Sequence, residues 1–133
     1  MKRIGLFCGG FSSEYAISIL SANTIQANFP TTYEVVKIVV SKEQWLVEFQ
    51  GASIPFDLNT CQFTHGGIPH KIDVGLVYIH GNPGENGKIQ ALLDMHGIPY
   101  INSGPLASSL SFDKWYCNQY MIGLLVKTIL LIM

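Results

Sequence analysis

The segment that most restricts the fold of this chain runs from Asp73 to Gly97. Asp73-Val74-Gly75-Leu76-Val77-Tyr78-Ile79 is a short apolar run, rich in β-branched and aromatic residues and bounded by polar ones. That is the pattern of a buried strand (Val74–Ile79) and is too brief for a lone helix. Beyond the loop His80-Gly81-Asn82-Pro83-Gly84-Glu85-Asn86-Gly87, the residues Ile89, Leu92, Leu93 and His96 recur at i, i+3, i+4 and i+7. They define one face of a helix, which Gly97 and Pro99 bring to an end. A strand, a loop with three glycines and a helix therefore meet with His80 and Glu85 at their junction. In an open α/β sheet, ligands bind outside the carboxyl ends of the strands, where both residues fall.

The N-terminal third repeats the arrangement. Ile4 to Cys8 reads as a strand buried on both faces, Gly9-Gly10 as a tight turn, and Ser12-Ser13-Glu14 as a helix start. Ile17, Leu20, Thr24 and Ala27 give that helix one face, Pro30 stops it, and Tyr33 to Val40 is a second strand. Strand, turn, helix and strand form a βαβ unit, for which a right-handed crossover and a parallel sheet are expected. Gln44 to Phe49 reads as a short strand in an edge hairpin with Ile54-Pro55-Phe56. Asn59 to His70, containing Gly66-Gly67 and Pro69, reads as a loop. Pro99-Tyr100-Ile101 is expected as a short fourth strand. Ser103 or Gly104 before Pro105 opens a helix with Leu106, Leu110, Cys117 and Met121 on one face, and Ser111 to Lys114 restarts a separate one.

These elements suit one domain of 133 residues with a real core. Charged residues make up 13% and the net charge is −1, which gives no reason to expect nucleic acid or an anionic membrane as partner. Cys8, Cys61 and Cys117 show no paired spacing; Cys8 and Cys117 read as buried free thiols, and the balance favours a reducing, cytoplasmic compartment. The apolar run after Lys2-Arg3 is shorter than the about 7–15 residues of a signal-peptide core. No stretch approaches the ~18 apolar residues of a membrane span, because Lys127 interrupts the apolar tail. The chain reads as soluble.

The residues able to carry chemistry each have two readings. Gly9-Gly10 before a helix suggests an anion site, yet its spacing is neither G-x-G-x-x-G nor a P-loop. Glu14 would repel a phosphate and suits a ligand ammonium, or it only supports the helix start. His80 is either a positioned acid/base that can donate to a carboxylate, or a core histidine satisfied by backbone. Glu85 either orders its loop by accepting backbone N–H groups or meets the ligand. Lys114 is one helical lysine, for which exposure is the default. His65, His70 and His96 lack metal-ligand spacing, so no metal site is expected in this chain.

Four stretches carry a family resemblance. His80-Gly81-Asn82-Pro83-Gly84-Glu85-Asn86-Gly87-Lys88-Ile89-Gln90-Ala91 resembles the H-G-x-x-G-E-[DN]-G-x-[apolar]-Q-[small] signature of D-alanine–D-alanine ligases. Gly9-Gly10-Phe11-Ser12-Ser13-Glu14 is similar to the family's opening G-G-x-S-x-E loop. Gly97-Ile98-Pro99-Tyr100-Ile101-Asn102-Ser103-Gly104 is similar to its G-[IL]-P-Y-x-G-S-G run, with Asn102 in place of glycine. Ala107 to Lys114 is similar to its A-S-A-x-x-M-D-K run, with Phe112 in place of methionine.

The resemblance implies a Rossmann-like α/β domain, a mostly parallel sheet flanked by helices, at the N-terminus of an ATP-grasp ligase. It implies ATP-dependent joining of two D-alanines through an acyl phosphate for peptidoglycan, with magnesium, in the bacterial cytoplasm. Glu14 would hold the ammonium of the first D-alanine and His80 would stand by its carboxylate. Gly9, Gly10, Gly81 and Gly84 would let backbone approach the substrate, near Glu85. Lys114 would reach ATP phosphates. A homodimer is implied for the full-length enzyme. Residues 1–120 would be the substrate domain and 121–133 the start of the next segment, truncated or gapped and resembling a compressed helix and strand. The ATP-grasp domains, which hold ATP and magnesium, would be absent and the chain inactive alone. The rival readings are a ligase making D-alanyl-D-lactate or D-alanyl-D-serine, and a non-catalytic Rossmann-like binding module.

Overall fold

The computed structural model describes residues 1–132. Strands β1 (Lys2–Gly9), β2 (Tyr33–Val40), β3 (Trp45–Phe49), β4 (Ala52–Pro55) and β7 (Val74–Val77) form one sheet in the order β4-β3-β2-β1-β7. β1 runs parallel to β2 and β7, while β3 and β4 add an antiparallel edge. Helix α1 (Tyr15–Asn28) carries the chain from β1 to β2, and helix α2 (Lys88–Met95) follows β7. β2 and β7 flank β1 on opposite sides, so the strand order reverses at β1. The crevice at the carboxyl ends of β1 and β7 is the place where such a sheet binds ligands.

Strand periodicity divides the core. Leu6, Cys8, Val35, Val39 and Leu76 point to α1, whereas Phe7, Val36, Ile38, Val40 and Val77 point to the opposite layer. There Phe7 meets Trp45 and Phe56 edge to face, with ring centroids 6.1 and 5.8 Å apart. The face expected for α1 is wrong. Ile17 and Leu20 are 56% and 67% exposed, Thr24 and Ala27 are exposed too, and the buried residues are Ser18 and Ala22. The strands already present branched side chains toward the helix, so its contact line takes small residues.

Asn59 to His70 is not a loop throughout. Gln62–His65 (β5) and Ile68–Lys71 (β6) pair antiparallel. Gly66 and Gly67 both have positive φ, as a two-residue type I′ hairpin requires. Pro99–Ile101 forms a single bridge to Gly75 rather than a strand. Helix α2 ends as expected. Gly97 has φ +66°, its N–H donates to Asp94 O and that of Ile98 to Leu93 O, the paired bonds of a Schellman cap.

Gly104 caps helix α3 (Pro105–Phe112), with Pro105 in its first turn. The Asp113 carboxylate accepts from the N–H groups of Trp115 and Tyr116 and so starts helix α4 (Lys114–Ile132). Leu106, Leu110, Cys117 and Met121 line one shallow groove across the two helices. Residues 122–132 are helical, where a compressed helix and strand were expected. The expectation that no stretch approaches a membrane span also needs correction. α4 has 19 residues, none buried, and is long and apolar enough to cross a bilayer by length and composition, because averaging over the helix outweighs the charges of Lys114 and Lys127.

Burial sets apart two of the three thiols. It pushes Cys8 up to about 12 and Cys61 up to about 11, and neither forms a disulfide. The folded state thus favours the neutral thiol. Its contribution to stability is fully present below the ordinary thiol pKa near 9 and is lost as pH rises from there toward 11–12. Stability should fall above pH 9 in urea titrations. A disulfide reagent at pH 8 should label half-buried Cys117 first and reach Cys8 and Cys61 only on unfolding.

Candidate functional site

The loops after β1 and β7 are bound to each other. The Phe11 N–H donates to Asn82 O at 2.9 Å, and the Ser12 hydroxyl donates to His80 O at 2.8 Å. The same Ser12 oxygen accepts from the Glu14 N–H at 3.2 Å, which turns the chain into α1. One level below, the buried Ser18 hydroxyl accepts from Gly9 N–H at 2.9 Å and donates to Tyr78 O. Two serines from the first loop and helix thus fix the two carbonyls flanking Ile79, just before and at His80. On the outer side of β7, the Asn102 side-chain amide accepts from Val77 N–H and donates to Val77 O, both at 2.8 Å. It takes the place of a neighbouring strand residue beyond the Gly75–Tyr100 bridge. The departure from glycine at this position therefore has a structural use.

These anchors bring Glu14, His80 and Glu85 together. His80 Nδ1 lies 3.5 Å from Glu14 Oε2 and 3.7 Å from Glu85 Oε1. The three side chains are one-third to about half exposed, and the Tyr78 ring packs edge-on against the imidazole at 5.5 Å. His80 is therefore not a core histidine satisfied by backbone. Among the described residues the Glu85 carboxylate accepts no backbone N–H, so it turns toward the imidazole instead of ordering its loop. Neither does Glu14 cap α1 with its side chain. A half-open cleft with two carboxylates and one imidazole complements a small zwitterion. The carboxylates suit an ammonium, and an imidazole N–H suits a carboxylate.

Gly9, Gly10, Gly81 and Gly84 surround this cleft, but the protein's own packing already requires three of them. A Cβ on Gly9, at φ +90°, would lie 2.7 Å from Val40 O. A Cβ on Gly10, at φ +98°, would collide with the Ile79 side chain, and one on Gly84 would lie 2.7 Å from Ile79 Cβ. Lys114 stands apart at the first turn of α4, exposed and joined to none of the other site residues by a hydrogen bond or ion pair. Among the described residues no group of three His, Cys, Asp or Glu side chains is placed to hold a metal ion. Ser12 and Gln90 were legible only as motif positions, with no role attached beyond the helix start at Ser12, and Ser18 and Tyr78 carried no signal apart from their positions.

Fold and cleft together define an α/β domain with a candidate ligand site at the carboxyl ends of two adjacent parallel strands. The family model described as D-ala D-ala ligase N-terminus matches residues 3–103, and the chain belongs to the D-alanine–D-alanine ligase family. It is 43% identical to the D-alanine–D-alanine ligase of Vibrio parahaemolyticus over 87% of this chain and 37% of that protein. It is 37% identical to the one of Parabacteroides distasonis over 95% of this chain and 39% of that one. The crystal structure of D-alanyl-alanine synthetase A from Vibrio cholerae superposes with a TM-score of 0.81 at 39% identity, over 92% of this chain and 37% of that one. The ATP complex of the Bacillus anthracis D-alanine–D-alanine ligase superposes at 0.66 and 32% identity, over 90% and 36%. The chain thus spans less than two-fifths of the length of these relatives.

Proposed function

We propose that this chain carries the first-substrate half of an ATP-dependent ligase that joins two D-alanines through an acyl phosphate for peptidoglycan. One observation carries the reading, the imidazole of His80 set between the carboxylates of Glu14 and Glu85 at the ends of β1 and β7. Glu14 receives the ammonium of the first D-alanine. His80 donates to its carboxylate, on which negative charge shifts as the oxygen is phosphorylated. Glu85 and the Gly9-Gly10 and Gly81–Gly84 backbones close the cleft around it. Lys114, at the positive end of α4, is the phosphate contact in this reading.

ATP and magnesium do not fit the residues present. Beyond Lys114 there is no glycine-rich phosphate cradle, and no carboxylate cluster for the metal occurs among the described residues. A homodimer and a bacterial cytoplasmic setting belong to the same proposal, and the free thiols of Cys8, Cys61 and Cys117 support the reducing setting.

Calorimetric titration of the 133-residue chain with D-alanine should show saturable millimolar binding, weaker for L-alanine. Equal responses to the two enantiomers, or none, would leave the binding-module reading. With ATP, magnesium and D-alanine the chain alone should release no ADP above background. Release would overturn the assignment of nucleotide and metal to residues this chain does not hold.

A further inference from the structure

On the other side of Glu85 from His80 lies a second cavity, of about 360 Å³, between β7, the start of α2 and helix α3. Val77 and Ile79 give it an apolar floor, Gln90, Ser108 and Ser111 line its wall, and Glu85 stands at its mouth. Gln90 is 2% exposed. Its Nε2 donates to Gly84 O at 3.1 Å, which settles the orientation of the amide, and its Oε1 is left with no donor. A buried acceptor without a partner is costly and marks a place that a donor fills.

Two hydroxyls and the carboxylate of the lining present acceptors to the cavity. The Ser108 hydroxyl donates to Ser103 O and the Ser111 hydroxyl to Ala107 O, so both keep only lone pairs for a guest. The Asn102 amide is used at both ends by Val77. The Glu85 carboxylate accepts only. Among the lining side chains of the described residues, the uncommitted hydrogens are that of the Ser103 hydroxyl and the second N–H of the Gln90 and Asn102 amides. A cavity with an unpartnered buried acceptor, a carboxylate at its mouth and an apolar base suits a guest with several N–H donors, a positive charge and a short alkyl stub.

We propose that this cavity binds a small primary alkylammonium. Its N–H groups reach Gln90 Oε1 and the Ser108 and Ser111 hydroxyl oxygens, its alkyl part rests on Val77 and Ile79, and Glu85 supplies the opposite charge. The cavity shares Glu85 with the Glu14–His80 cleft and is otherwise lined by different side chains, and the inference does not rest on the ligase reading.

The test is a titration of the ¹⁵N-labelled chain with methylammonium and propylammonium chloride at constant ionic strength. Tetramethylammonium and potassium chlorides serve as controls that carry the charge without N–H donors. Saturable shifts of the Gln90 side-chain amide and of the Ser108 and Ser111 backbone amides are expected with the two primary amines, at least tenfold tighter than with either control. Gln90→Met should weaken binding about tenfold. Because that variant also loses the bond to Gly84 O and its folding is at risk, Ser111→Ala, on the exposed side of α3, should weaken binding about threefold in a folded chain. Equal shifts with tetramethylammonium or potassium, no saturation with any salt, or Ser111→Ala binding as tightly as the parent would overturn the proposal. The cavity would then hold solvent or a non-specific cation only.

Discussion

Replacing Ser18 with alanine is expected to lower the stability of the chain by about 2–4 kcal/mol, read as an earlier urea midpoint with an unchanged slope. Ser18 is fully buried between α1 and the sheet. Its hydroxyl both accepts from Gly9 N–H and donates to Tyr78 O, so a single oxygen joins the ends of β1 and β7. Alanine fits the space but answers neither group, and each buried polar atom left alone costs about 1–3 kcal/mol. For a domain of ordinary stability that is a large share of the total. The two bonds also hold the backbone two residues before His80, so the variant should broaden the His80 resonances below the unfolding midpoint. A midpoint within 0.5 kcal/mol of the parent would mean that water or a backbone shift replaces the hydroxyl, and the serine would then not be what sets the spacing of the two loops.

The parts of this fold that were legible in the sequence are those whose period is decided by burial. β2 was readable to its observed ends, Tyr33 and Val40, because Val35, Val36, Ile38, Val39 and Val40 concentrate β-branched residues between Pro30 and Ser41. α2 was readable because Ile89 and Leu93 face the core and Gly97 closes the helix. α1 misled for the opposite reason. A helix pressed onto branched strand residues buries Ser18 and Ala22 on its contact line, with Ile19 and Ile25 packed beside them, and leaves Ile17 and Leu20 outside. The β5–β6 hairpin was hidden in Gly66-Gly67 and Pro69, which read as loop but serve as a tight turn and a place in a two-stranded ribbon. At the site, His80, Glu14 and Glu85 stood out as side chains with chemistry at strand ends. That a single imidazole lies within 3.7 Å of both carboxylates depends on the Phe11–Asn82 and Ser12–His80 bonds between loops some seventy residues apart, which no local pattern encodes. The Asn102 amide, which only looked like a departure from the family's glycine, belongs with them.

Changing Glu14 to glutamine should reduce D-alanine affinity about tenfold or more while leaving the urea midpoint within 0.5 kcal/mol of the parent. The two readouts separate because of where the side chain stands. Glu14 makes no side-chain cap bond to α1, its side chain is 54% exposed, and its nearest polar side-chain neighbour across the loops is the imidazole of His80 at 3.5 Å. A contact so open to solvent contributes little to folding. A bound ammonium is different, because it displaces water from the cleft and meets a carboxylate held by the Ser12 turn. A charge-assisted hydrogen bond of that kind is worth about 1.5–3 kcal/mol, and at this exposure the lower end applies, which corresponds to about tenfold in affinity. Glutamine keeps the shape and one acceptor but loses the charge, so the loss reports electrostatics and not packing. Glu85→Gln serves as the comparison. Its carboxylate lies 3.7 Å from the same imidazole, on the far loop, and its removal should cost less than that of Glu14 if the ammonium faces α1. Equal losses from the two variants would place the ammonium between the two carboxylates and make His80, rather than Glu14, the group that orients the substrate.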